Sequence, residues 1–220
     1  MKATTPLGRI VSSWTKPVTL TALTIFISAG LSSGATFVTS ITLENQTNNE
    51  ADLTGLILEI YQVSGTQLLF KAINNSGDSQ AAIDSIYFED GDNLFTTIAF
   101  SGAESSGTVA YSSPGAPPNP PGFSFTVDTG FDATSNANRV HDGEVAGFLA
   151  NLTTETADAT QIDYSGFRVA YHMQSLGAGE NDEGSDSYLG TGPENVPIPE
   201  PAAATLGLAG ALLLLRRRRI

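Results

Sequence analysis

Few side chains in this 220-residue chain have both the type and the setting for chemistry. Val127-Asp128-Thr129-Gly130 follows an alternating apolar run. That is the local pattern of an aspartic protease, in which a pair of such loops brings two carboxylates together to share a proton. One copy is present, no Asp-Ser-Gly supplies a second, and a strand-to-turn junction needs Asp and Gly in any case. His141 and His172 are the only histidines, too far apart for zinc-ligand spacing. His141-Asp142-Gly143 reads as a turn, and His172 falls on the outward face of a strand, beside Arg168. No Gly-x-Ser-x-Gly elbow occurs. Glu89, Asp90 and Asp92 cluster oxygen ligands in "EDGDN", and "ENDEGSDS" (180–187) does so again. These make calcium the one metal the sequence nominates, although the spacing is not that of an EF-hand. No other cofactor is indicated. The chain has no cysteine, which excludes disulfides, Cys-type zinc sites and thiol nucleophiles. Its acids allow many pairs for glycoside hydrolysis and mark none of them. Asn45, Asn74 and Asn151 each begin a glycosylation sequon.

The elements that must position these residues read as short strands. "GLILEIYQV" is a dense β-rich run, turned at Ser64-Gly65 into "QLLFKAI", with Leu68, Phe70 and Ala72 on one face. "AAIDSIYFEDGDN" is a strand ending in an acidic turn. "LFTTIAF" places Leu94, Thr96, Ile98 and Phe100 together, and "FSFTV" alternates through Phe123, Phe125 and Val127. "VAGFLANL" aligns Ala146, Phe148, Ala150 and Leu152; "FRVAYHM" points Phe167, Val169, Tyr171 and Met173 inward. The stretches 36–51 and 153–161 have room for a short helix. "SSPGAPPNPPG" (112–122) is a proline-rich connection, and a last short strand lies around Tyr188 after an acidic, glycine-rich loop. Gly/Asn/Ser turns at this spacing and no βαβ alternation predict an all-β chain, a single β-sandwich of jelly-roll or immunoglobulin-like type over 36–190.

Charge is unevenly placed. Seven of the ten basic residues lie at the ends, as Lys2, Arg9, Lys16 and Arg216 to Arg219. Between 36 and 199 there are three basic residues, Lys71, Arg139 and Arg168, against 22 acids, a net −19. Such a body repels phosphate backbones, so nucleic acid is not an expected partner.

Both ends read as routing signals. A basic n-region to Lys16, an apolar stretch from about Val18 to Ala29 and the small residues Ser33-Gly34-Ala35 predict a signal peptide over 1–35, cleaved after Ala35. At the other end, residues 191–196 read as a linker. Pro197 to Pro201 stay extended, because proline fixes φ and restricts the residue before it. The apolar run 202–215 spans ~21 Å as a helix against ~30 Å of hydrocarbon. Arg216 to Arg219 fix its C-terminus on the cytoplasmic side.

The order Pro199-Glu200-Pro201, apolar helix, arginine tail resembles the PEP-CTERM protein-sorting domain of Gram-negative bacteria, over about Val196 to Arg219. Ala202 stands where Ser is frequent in that family. The resemblance implies that exosortase, a membrane cysteine transpeptidase, reads Pro199, Glu200 and Pro201. It implies that Arg216, Arg217, Arg218 and Arg219 retain the chain until the tail is removed, and that the protein passes to the cell surface, outer membrane or matrix. "LLFKAINNSG", "IDSIYFEDG" and "FRVAYHMQSLG" are also similar to a body that recurs with this signal. The expectation is an exported, non-enzymatic structural or adhesive protein linked to exopolysaccharide. Its partners before release are the secretion machinery, exosortase and the membrane. A secreted carboxylate-dependent hydrolase and a permanently anchored single-pass protein are the alternatives.

Overall fold

Alternating apolar residues broken by Gly, Asn and Ser produce strands almost throughout. The structure, a computed structural model, describes residues 34–47, 53–113, 120, 122, 124–176 and 184–194. The signal peptide up to Ser33, most of the proline-rich connection and the sorting tail, including the apolar helix 202–215, lie outside the described residues. The strands are β1 (Thr36–Thr42), β2 (Glu44–Asn45), β3 (Leu56–Ser64), β4 (Gln67–Asn74), β5 (Ala82–Asp90), β6 (Phe95–Phe100), β7 (Tyr111–Ser112), β8 (Thr129–Ala133), β9 (Glu144–Leu152), β10 (Phe167–Leu176) and β11 (Gly184–Thr191). Helical geometry among the described residues is limited to 3-10 turns at Gly102–Glu104, Asn136–Asn138 and Ala159–Gln161.

The strands form two antiparallel sheets. One has five strands in the order β1-β3-β4-β9-β6, the other six in the order β2-β11-β10-β5-β8-β7. The chain crosses between sheets at most connections. Consecutive strands pair within a sheet at β3–β4, β7–β8 and β10–β11; the pairing of β3–β4 and β10–β11 is continuous apart from a local register shift in each.

The inward residues of both sheets share one core. Phe88 on β5 sits 5.8 Å from Phe70 on β4 and 5.5 Å from Phe148 on β9, ring centre to ring centre. Phe131 on β8 lies 4.8 Å from Phe148, and Phe167 on β10 lies 5.3 Å from Phe70. This aromatic layer joins the sheets; such rings bury ~150–250 Å² each. Buried tyrosine hydroxyls are satisfied: Tyr171 donates to Ile57 O at 3.0 Å and Tyr164 to Ala159 O at 3.2 Å. Asn74, fully buried, donates to Ala81 O (3.0 Å) and Val140 O (3.1 Å) and ties three segments together. Gly55 needs to be glycine. Its φ is +82°, and a Cβ there would lie 2.3 Å from Asn75 O.

The inward sets read from β4, β9 and β10 are all buried. Three readings are corrected. Thr96 does not join Leu94, Ile98 and Phe100: a bulge between Phe95 and Thr97 shifts the register, and Thr96 is exposed. Residues 124–127 are not a strand, although Phe125 is buried. Asp128-Thr129-Gly130 does not end a strand in a turn; Thr129 opens β8, paired with Phe88. Of the two stretches with room for a helix, 36–51 holds β1 and β2, and 153–161 holds only a 3-10 turn. The last strand is longer than expected, eight residues. Beyond it Gly192 N donates to Phe167 O at 2.8 Å, and Pro193 O accepts from Tyr164 N at 3.1 Å, so the start of the stretch read as linker packs on the body.

Candidate functional site

The residues singled out for chemistry are mostly held in structural roles. Asp128 Oδ2 accepts from Asp90 N at 2.6 Å and fixes the start of β8 against the end of β5. Of the calcium candidates, Glu89 pairs with Arg168. Asp90 accepts from Leu94 N and Phe95 N, both at 2.8 Å, and closes the turn. Asp92 lies over Gly166. The three carboxylates thus serve three different partners. Among the described residues no three His, Asp or Glu side chains gather around one point that could hold a metal ion. In the second acidic run, Asp186 is buried and accepts from Asn45 Nδ2 (2.9 Å) and Thr47 Oγ1 (3.0 Å). Of the sequon asparagines, Asn74 is fully buried and Asn45 is part of that network, whereas Asn151 is exposed. Ala35 immediately precedes β1. Pro199, Glu200, Pro201 and Arg216 to Arg219 lie outside the described residues.

The outer face of the six-stranded sheet gathers polar groups from distant parts of the chain. Asp132, Ser85, His172 and Ser187 stand side by side as cross-strand partners on β8, β5, β10 and β11. One side of this row carries a closed network. Arg139 donates through Nε to Asp84 Oδ1 (2.6 Å) and through Nη2 to Gln174 Oε1, and Gln174 Nε2 donates to Asp84 Oδ2 (3.0 Å). Asp84 reaches this position because the register of β5 against β10 shifts between His172 and Met173, leaving Asp84 as the extra residue of a bulge. On the other side Phe125 covers Tyr87 and Ala170, with Val127 and Leu189 at its margin. The Arg168 guanidinium lies 5.2 Å from the Phe125 ring centre while bound to Glu89. The segment 124–127 is therefore a strap across the sheet.

His172 is outward, as expected, yet half-buried. Burial pushes its pKa below the ordinary value; Asp84 and Asp132 oppose that, and Arg139 adds to it. Burial therefore disfavours its charged form. Ser187 Oγ beside it is buried and has no hydrogen-bond partner among the described residues. The row therefore lacks the nucleophile-to-base contact that acyl transfer uses. What the face offers is a preformed, internally paired polar surface.

All three basic side chains of the body are engaged. Arg139 and Arg168 hold carboxylates, and Lys71, 6% exposed, lies with its ammonium 5.5 Å from the Tyr61 ring centre. The acids are left to dominate the surface. Sequence reasoning missed Asp84, Arg139 and Gln174 as a unit, because they come from non-adjacent segments and meet through a bulge that no pattern announces. No helix among the described residues is long and apolar enough to cross a membrane. No protein-family model, curated protein or solved structure matches the chain.

Proposed function

We propose that the chain is an exported protein of the cell surface, outer membrane or extracellular matrix. Exosortase reads Pro199-Glu200-Pro201, and the released body is a β-sandwich of jelly-roll or immunoglobulin-like type. Its role is structural or adhesive and non-enzymatic, in association with exopolysaccharide. The observation that carries this reading is the position of the strands between the two signals. β1 begins at Thr36, one residue after Ala35, and β11 ends at Thr191, ahead of Pro199. Cleavage after Ala35 and loss of the tail leave every described strand intact. The engagement of Lys71, Arg139 and Arg168 supports it too, since an acidic outer surface keeps a crowded exported protein soluble. Glu200→Ala tests it in the native host: the arginine tail is expected to persist in the variant and to be absent from wild type. Equal processing of both defeats the sorting reading.

A further inference from the structure

The described part of the molecule has an open cleft of about 550 Å³ where the β5–β6 connection meets the segment after β9. That volume is in the range of small-ligand sites. Leu94, Leu152 and Ile162 supply its apolar surface, and Asp92, Asn93 and Glu155 are among its polar lining. We propose that this cleft binds a neutral, hydroxyl-rich saccharide unit, an inference that rests on the exported, polysaccharide-associated reading above.

The walls are preorganised. Thr153 N donates to Leu94 O and Thr153 Oγ1 to Asn93 O, both at 2.8 Å, stitching one wall to the other. Thr156 N donates to Gly65 O at 2.8 Å and anchors the far side. The Asp92 carboxylate lies over Gly166, where a Cβ would be 2.1 Å from Oδ2 and 2.5 Å from Cγ, so glycine leaves it room. A cleft built in advance spends less of its binding energy on ordering.

The lining chemistry selects the ligand class. Two carboxylates and a side-chain amide accept from, and donate to, several hydroxyls at once. The leucine and isoleucine surface suits the C–H face of a sugar ring. No basic residue lines the cleft, and the three basic side chains of the body are engaged elsewhere, so a phosphate, sulfate or uronate would meet uncompensated negative charge.

The test is titration calorimetry on the full-length chain in detergent. The ligands are neutral gluco-, galacto- and manno-oligosaccharides, a uronate oligosaccharide and a glucosamine oligomer. At least one neutral oligosaccharide is expected to saturate the protein at or below about 10 mM, a weak affinity. The pair Asp92→Asn with Glu155→Gln is expected to weaken that binding at least about tenfold. Gly166→Ala, which removes no charge and displaces the Asp92 carboxylate, is expected to weaken it as well, with the folded state checked by circular dichroism. Binding of only the uronate or only the amine ligand overturns the proposal, as does the absence of any saturable ligand, or neutral-sugar binding that neither variant changes. Intact mass of the surface form reads sorting separately. Correct processing without saccharide binding removes the cleft and leaves the exported reading standing; binding without processing does the reverse.

Discussion

Phe88→Ala is the substitution whose cost follows most directly from the packing. Phe88 is fully buried on β5 and touches rings on both sheets: Phe70 and Phe148 across the core, Phe131 and Phe167 beside it. Taking roughly 150 Å² of ring out of burial at ~25 cal/mol/Å² is worth about 4 kcal/mol. That agrees with the ~3–5 kcal/mol seen when a core Phe is cut to Ala. Domains are stable by only ~5–15 kcal/mol, so the variant should lose a quarter to most of its margin. Urea unfolding of the surface form, followed by tyrosine fluorescence, measures it; the midpoint should fall with little change in slope. Phe88→Leu keeps most of the volume and should cost about 1–2 kcal/mol. A loss below about 1 kcal/mol for the Ala variant would mean that the sheets are not joined through this residue.

Asn74→Ala removes the side-chain donor to Ala81 O and leaves Val140 O with Ile83 N alone, and should cost about 1–3 kcal/mol by the same assay. His172 has a lowered pKa in the folded state, so the unfolded chain binds its proton first as pH falls. Stability should be full above the unfolded value near 6.5 and decline below it, and His172→Gln should flatten that decline. Tyr111 and Tyr171 are pushed well above their ordinary value of 10.0, chiefly by burial. Their contribution is present below pH 10 and lost as pH rises beyond it, when the unfolded chain ionises first. Tyr171→Phe should therefore show a shallower alkaline transition than wild type.

The strands were legible where a face is buried against the core. In β4 both faces are covered and Leu68 to Ala72 are all buried, whereas in β9 and β10 the alternation is nearly regular because a one-residue slip would expose the whole apolar set. It failed at β6, where the bulge at Phe95–Thr97 breaks the alternation with no residue type to mark it. "FSFTV" has the right pattern for a strand, but Phe125 meets the outer face of a sheet rather than the core, and sequence does not distinguish the two kinds of burial. The site was harder to read than the fold. "EDGDN" carries its acids for turn closure and ion pairing, a use that shares its composition with cation binding. Asp84, Arg139 and Gln174 come together through the bulge of β5 on β10 and the isolated bridge between Ile83 and Val140.

Routing is tested most directly by the intact mass of the protein recovered from the cell surface or matrix of its native host. The predicted species begins at Thr36 and has lost Arg216 to Arg219 together with the apolar run before them. A surface species that still carries Arg216 to Arg219 contradicts it.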